Sequence, residues 1–216
     1  MSTSTVVRDQ LFSTVVQERR SVRSYDPNYK IAKEEIKELL EEAILAPSSS
    51  NLQPWRFIVI DSQELQEKLL PIAYNQKQIV DASAVIVVLG DLESYKLTEK
   101  IYNRSFEQGF MPEDVKNSMS ERTYKTYSSL PVESAKQIVY TDGGLVSMQL
   151  MLGARARGYD TVPMGGYNAE QLKEAFGISE RYVPVMLIAL GKALNPGRPS
   201  VRLTVDEVTS WNEMSL

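Results

Sequence analysis

Apolar positions recur at helical spacing in two stretches near the start of the chain. Val6, Leu11, Phe12, Val15 and Val16 predict a helix over 5–18. Ile36, Leu39, Leu40, Ala43 and Ile44 fall at i, i+3, i+4, i+7 and i+8 with Lys and Glu between them, a clearer amphipathic helix. Glu34 and Glu35 sit in its first turn, where the helix dipole favours negative charge, and Pro47 with the serines after it stops it. Strand patterns follow at 56–61, 84–90, 160–166 and 183–190. The second and fourth are continuous apolar runs without alternation, as expected of strands buried on both faces. Short helices are predicted at 63–70 and 169–176. A long helix is predicted from Pro131 to Gly158, its apolar side supplied by Val132, Ala135, Ile138, Val139, Leu145, Val146 and Leu152. Gly143 and Gly144 inside it cost about 1 kcal/mol each relative to Ala, which predicts close approach of another backbone or a flat ligand. The region 91–130 is polar and aromatic with weak periodicity and reads as one or two surface helices or a long excursion. Helices outnumber strands and do not alternate strictly with them, so the pattern fits one α+β domain over 1–216.

Composition narrows the chemistry. The chain has 216 residues, 43% of them apolar and 24% charged, with a net charge of −4 and no basic field suited to nucleic acid. No apolar run approaches the roughly 20 residues that span a bilayer. The N-terminus lacks an apolar signal core, so the expected compartment is the cytoplasm. There is no Cys and no His, which excludes disulfides, thiolate catalysis, imidazole shuttles and the common zinc and iron–sulfur sites. An enzyme built this way needs an organic cofactor for its chemistry. No metal cluster is expected. Asp142 and the scattered Glu pairs read as surface or capping groups.

Three segments could carry a ligand. Arg19, Arg20, Ser21 and Arg23, with Val22 among them, offer guanidinium forks and a hydroxyl suited to phosphate oxygens; a solvated basic turn is the alternative. Pro47, Ser48, Ser49, Ser50, Asn51, Leu52, Gln53 and Pro54 set three hydroxyls and two amides between rigid prolines, which suits a polar ring edge; a helix stop followed by turns explains only part of it. Trp55 is expected to fill core. Met164, Gly165 and Gly166 end a strand, where backbone N–H groups without a Cβ can approach a flat ligand, although a plain turn explains them as well. No glycine-rich dinucleotide or P-loop motif follows any strand.

Taken together, from about Arg19 to Trp211, these segments resemble the FMN-dependent nitroreductases, flavin oxidoreductases that use NAD(P)H. The resemblance is carried by Arg19-Arg-Ser-Val-Arg23, by the stretch from Ala46 to Phe57, by Met164-Gly-Gly166, and by the arginine-bearing tail from Asn195 to Leu203. It implies an α+β fold whose central sheet is mixed but mainly antiparallel and flanked by helices, in a homodimer that exchanges a C-terminal strand (195–216). It further implies FMN at the dimer interface, with NADH or NADPH as co-substrate and small electron-poor acceptors such as nitroaromatics and quinones, reduced in ping-pong order. Arg19, Ser21 and Arg198 would hold the phosphate, Arg20 would lie along the phosphate and ribityl chain, and Arg23 would reach the N1–C2=O edge. Asn75 and Gln78 match positions at the ring and polyol chain. Gly165 and Gly166 would present N–H groups near N5 and O4, with no side chain acting as catalyst. Pro47, Ser48, Ser49, Asn51 and Gln53 would come from the partner subunit.

The same resemblance leaves two alternatives: a related reaction such as dehalogenation or flavin fragmentation, or a flavin carrier without turnover. Tyr102, Phe106, Phe110, Tyr124 and Tyr127 could line a channel over the flavin or form a satellite core.

Overall fold

A computed structural model describes residues 12–214. In chain order the elements are α1 (Phe12–Glu18), α2 (Lys33–Ala43), β1 (Trp55–Ile60), α3 (Gln63–Ile72), α4 (Gln78–Asp81), β2 (Ala84–Asp91), α5 (Thr98–Glu107), α6 (Glu113–Ser128), α7 (Val132–Ala156), β3 (Asp160–Met164), α8 (Ala169–Phe176) and β4 (Tyr182–Gly191). The part of the first predicted helix before Phe12, with Val6 and Leu11, lies outside the described residues.

The strands form one sheet in the order β1-β2-β4-β3, and every named pair is antiparallel. The only parallel element bridges Ser21 to Thr161 beyond β3, so the mixed character expected of the sheet is confined to that bridge among the described residues. Both faces are covered. Val85, Val87 and Leu89 of β2 and Leu187 and Ala189 of β4 face a core closed by α3, α4 and α8, whereas Ala84, Ile86, Val88, Ile188 and Leu190 face α2 and α7. Burial on both faces is why these strands are continuously apolar: each fully buried Val, Leu or Ile stabilises by about 1.5–3 kcal/mol, and a polar residue on either face would forfeit that.

α7 crosses the sheet in close contact, and two glycines set the distance. A Cβ on Gly90 of β2 would lie 2.7 Å from Val139 of α7, and one on Gly143 of α7 would lie 2.9 Å from Val185 of β4. The close neighbour of Gly143 is therefore a β-branched side chain, not the backbone or flat ligand expected; Gly144 faces open space. Trp55 is buried, as expected. α2 ends at Ala43, and a turn over 44–46 follows, so that Ala46, the residue restricted by Pro47, lies outside the helix.

Region 91–130 folds into a short 3-10 turn followed by α5 and α6. Its periodicity is weak because α6 is largely solvent-exposed, with Thr123 its one buried residue. Past β4 the chain runs extended. No strand forms over 192–214 beyond the bridge of Tyr25 to Ala193, and Val201, Leu203, Val205 and Trp211 are exposed. Among the described residues the apolar tail joins no strand of its own chain.

Candidate functional site

The basic segment is pinned along the outer edge of β3. Val22 N–H donates to the Thr161 carbonyl at 3.1 Å, and Val22 itself is buried. Three residues further on, Tyr25 is buried against Gly191, whose missing Cβ leaves room for the ring, and its hydroxyl donates to the Ala189 carbonyl at 3.2 Å. Burial raises the Tyr25 pKa, so this phenol stays a donor. These anchors turn Ser21 and Arg23 outward. The segment after β4 returns alongside: Leu194 N–H donates to the Ser24 carbonyl and Asn195 Nδ2 to Ser24 Oγ, both at 2.9 Å. Gly197 packs so closely on Arg20 that a Cβ there would lie 2.4 Å from the Arg20 Cβ. The result is a crevice of about 450 Å³ lined by Ser21, Arg23, Ser24, Asn195, Pro196, Gly197 and Arg198, with no acidic residue among them.

Four arginines elsewhere in the fold are neutralised, whereas Arg104, Arg122 and Arg202, like those of the crevice, have no ion pair among the described residues. Arg56, Arg155, Arg157 and Arg181 each pair with one or two carboxylates. Among the described residues Arg19, Arg23 and Arg198 pair with none, while Arg20 donates to the carbonyls of Gln17 and Arg19. An acid-free crevice with unneutralised guanidinium groups and hydroxyls matches the donor set that a phosphate monoester needs.

β3, whose Thr161 bridges to Ser21, ends at Met164 and is followed by Gly165 and Gly166. Met164 is buried, and Gln78 reaches it with Nε2 3.4 Å from Sδ, while the same nitrogen lies 3.0 Å from Gln76 Oε1. Gln76 Nε2 donates to the Gly166 carbonyl at 2.8 Å, tying the glycine turn to the turn after α3. In that turn Tyr74 and Asn75 are both left-handed, at φ 55° and 57°, and exposed. Gly165 and Gly166 are exposed, and nothing stands within 4 Å of where a Gly165 Cβ would be. Tyr167, directly after them, has its pKa pushed up to about 12, chiefly by burial and secondarily by Tyr140.

Pro47, Ser48, Ser49, Asn51 and Gln53 form a separate group. Their loop leads into β1, the sheet edge opposite Ser21. Four strand spacings separate Ser21 from β1, about 19 Å. No hydrogen bond joins the two groups among the described residues. The loop instead rests on α5, α6 and α7: Tyr102 Oη donates to the Ser50 carbonyl at 3.1 Å, Ser50 Oγ lies 2.9 Å from Tyr127 Oη, and Ser49 donates to Asp142. Asp142 is thus not the surface or capping group expected. It is 2% exposed and accepts from the Ser49 N–H and hydroxyl. Burial pushes its carboxyl up, and the Ser49 bonds pull it partly back. Of the five aromatics, Tyr102 is buried, Tyr127 is partly buried, and Phe106, Phe110 and Tyr124 are exposed.

Residues 16–192 match the model of the nitroreductase family. The chain belongs to the nitroreductase family. A nitroreductase relative in Bacillus subtilis, YdgI, whose name assigns it to the NAD(P)H nitroreductases, is 49% identical over 95% of this chain and 100% of its own length. The CLA biosynthesis enone reductase of Lactiplantibacillus plantarum is 35% identical over 83% of this chain and 84% of that protein. A crystal structure from Exiguobacterium sibiricum, named as a nitroreductase and solved in complex with FMN, superposes with a TM-score of 0.91 at 49% identity, covering 94% of this chain and 98% of the other. This nitroreductase chain therefore has the α+β nitroreductase fold expected from its sequence.

Proposed function

We propose that the chain is an FMN-dependent oxidoreductase that takes hydride from NADH or NADPH and reduces small electron-poor acceptors, with the flavin held between two copies of the chain. The observation that carries this reading is the crevice lined by Ser21, Arg23 and Arg198 with no acidic residue in its lining, where among the described residues neither arginine has a carboxylate partner. The FMN bound in the Exiguobacterium relative supports the same cofactor here.

Ser21, Arg19 and Arg198 bind the phosphate, and Arg20 lines the chain that leads from it. Arg23 provides a cation for the pyrimidine edge, where negative charge collects on reduction. Gly165 and Gly166 offer exposed backbone N–H groups to the ring, with no side chain to hold it off. Asn75 and Gln78 complete the polar wall. Bound FMN would supply the hydride acceptor and donor. The chain has no His or Cys to act as a proton donor, a role that solvent can fill.

A second copy is needed because Pro47, Ser48, Ser49, Asn51 and Gln53 sit at the far sheet edge of their own chain. A two-fold pairing brings one copy's loop to the other's crevice. Two exposed apolar surfaces favour it: the groove of Phe12, Leu45, Pro47, Leu145 and Met148, and the tail with Val201 and Trp211. Among the described residues, no helix is long and apolar enough to cross a membrane.

The test is purification followed by absorbance in the flavin bands and turnover with nitrofurazone, menadione and an α,β-unsaturated ketone. The last acceptor is included because of the Lactiplantibacillus relative's name. A yellow dimer that NAD(P)H bleaches and one of these acceptors restores is expected; a colourless protein that binds no added FMN refutes the reading.

A further inference from the structure

Within the loop before β1, Ser50, Asn51 and Gln53 all adopt left-handed backbone, at φ 50°, 55° and 47°, and none is glycine. Each such residue costs about 1–2 kcal/mol, less for Asn, and the conformation persists only where its surroundings impose it. Two buried carboxylates impose it, one at each end. At the start, Asp142 of α7 accepts the Ser49 N–H at 3.0 Å through Oδ2 and the Ser49 hydroxyl at 3.2 Å through Oδ1. At the end, Arg56 Nη1 donates to the Gln53 carbonyl at 3.0 Å while its Nη2 donates to Asp91 at 2.9 Å. Asp91 is fully buried, held by both nitrogens of the Arg181 fork at 2.7 Å, and its own N–H donates to the Pro54 carbonyl. Between the two anchors, Gln53 N–H donates to Ser48 Oγ at 3.0 Å.

Asp91 has two cations to offset its burial. Asp142 has none: its only partner among the described residues is Ser49. Burying a carboxylate without a cation costs several kcal/mol, and a neutral residue of similar size on that face of α7 would be cheaper for folding. Its placement is explained by what it holds.

We propose that Asp142 is a positioning residue of the cofactor site. Through Ser49 it sets the loop in its left-handed conformation, and together with the Asp91–Arg56 anchor it presents the loop, with the exposed Asn51 amide, to the flavin of the other copy. The inference rests on the reading of that loop as part of the flavin site.

The test uses the full chain stripped of flavin, with FMN affinity read from quenching of flavin fluorescence and folding read from thermal melts. Asp142→Ala weakens FMN binding by about tenfold or more, the equivalent of one lost hydrogen bond to a charged group. Asp142→Asn recovers part of that loss, because its carbonyl oxygen still accepts one Ser49 bond. Ile60→Ala, in the opposite core cluster at the far end of β1, is the control: it lowers the melting temperature and keeps the wild-type affinity. Wild-type FMN affinity in Asp142→Ala overturns the proposal, and so does an equal affinity loss in Ile60→Ala at matched stability. Should the alanine variant not fold, a drop of about threefold in Asp142→Asn is the expected signal and no drop overturns. Wild-type protein that binds no FMN at all removes the underlying reading instead, and with it the role of Asp142.

Discussion

The arginine crevice and the serine loop treat their polar groups in opposite ways. In the crevice, Val22 and Tyr25 carry the structural bonds, and among the described residues Arg23 and Arg198 have no carboxylate partner. In the loop, Ser48, Ser49, Ser50 and Gln53 place their hydrogen bonds within the protein, on each other and on Asn51, Asp142, Arg56 and Tyr127. One region leaves the charges of Arg23 and Arg198 unneutralised among the described residues, and its shape comes largely from neighbouring backbone. The other uses its donors to keep a strained shape. A phosphate needs charge and many donors. A planar ring needs a surface that does not give way.

Four experiments break or sharpen this contrast. The largest effect is expected from Asp91→Ala, which strands Arg56 and Arg181 without their shared carboxylate. Breaking a buried pair costs about 3–5 kcal/mol, so chemical denaturation should show a loss of that order. A loss near zero would mean that the loop does not depend on its anchor. Arg23→Ala should do the reverse, leaving the denaturation midpoint unchanged while FMN affinity falls roughly tenfold to a hundredfold, the range for a lost charged hydrogen bond. Wild-type affinity in that variant would move Arg23 out of the crevice's function.

Relieving strain is a smaller perturbation. Ser50→Gly removes a left-handed Cβ, about 1–2 kcal/mol, and gives up one exposed hydrogen bond to Tyr127. The flavin-free protein is expected to gain up to about 1 kcal/mol in calorimetry without binding FMN more tightly. A clear destabilisation would show that the loop is not strained there. The smallest effect is in pH. Burial raises the Asp142 carboxyl, so the folded chain holds that proton more tightly than the unfolded chain does. The cost of burying its charge is full at neutral pH and fades as pH falls through the folded pKa towards the ordinary carboxylate range, so wild type should gain stability on Asp142→Asn between neutrality and about pH 4. Parallel melting curves over that range would show that the carboxyl is not shifted.

Periodicity made most of the frame legible. α8 runs over the predicted residues, capped by Asn168 at its start and a left-handed Gly177 at its end, and α7 departs from its expected limits by a residue or two. The basic segment and the glycine turn were visible because their residue types are unusual in series. The role of Asp142 is not legible locally, because its partner is 93 positions away and only the folded chain brings them together. A signal was present: Asp142 follows Val139 by three and precedes Val146 by four, which puts it on the buried stripe of α7, where an acid demands a reason. The tight spot at Gly143 was foreseen, but its cause was not, since spacing along a helix does not reveal that Val185 of β4 stands opposite. The opposed positions of crevice and loop follow from strand order, which no local pattern encodes.

That opposition has a thermodynamic consequence. If neither chain alone encloses the flavin, cofactor capture and subunit association are linked, and each must tighten the other by the same factor. Dilution would then bleach the enzyme by pulling the subunits apart, and added FMN would reverse it. In a cell short of riboflavin, the same coupling would turn a vitamin shortage into a loss of quaternary structure.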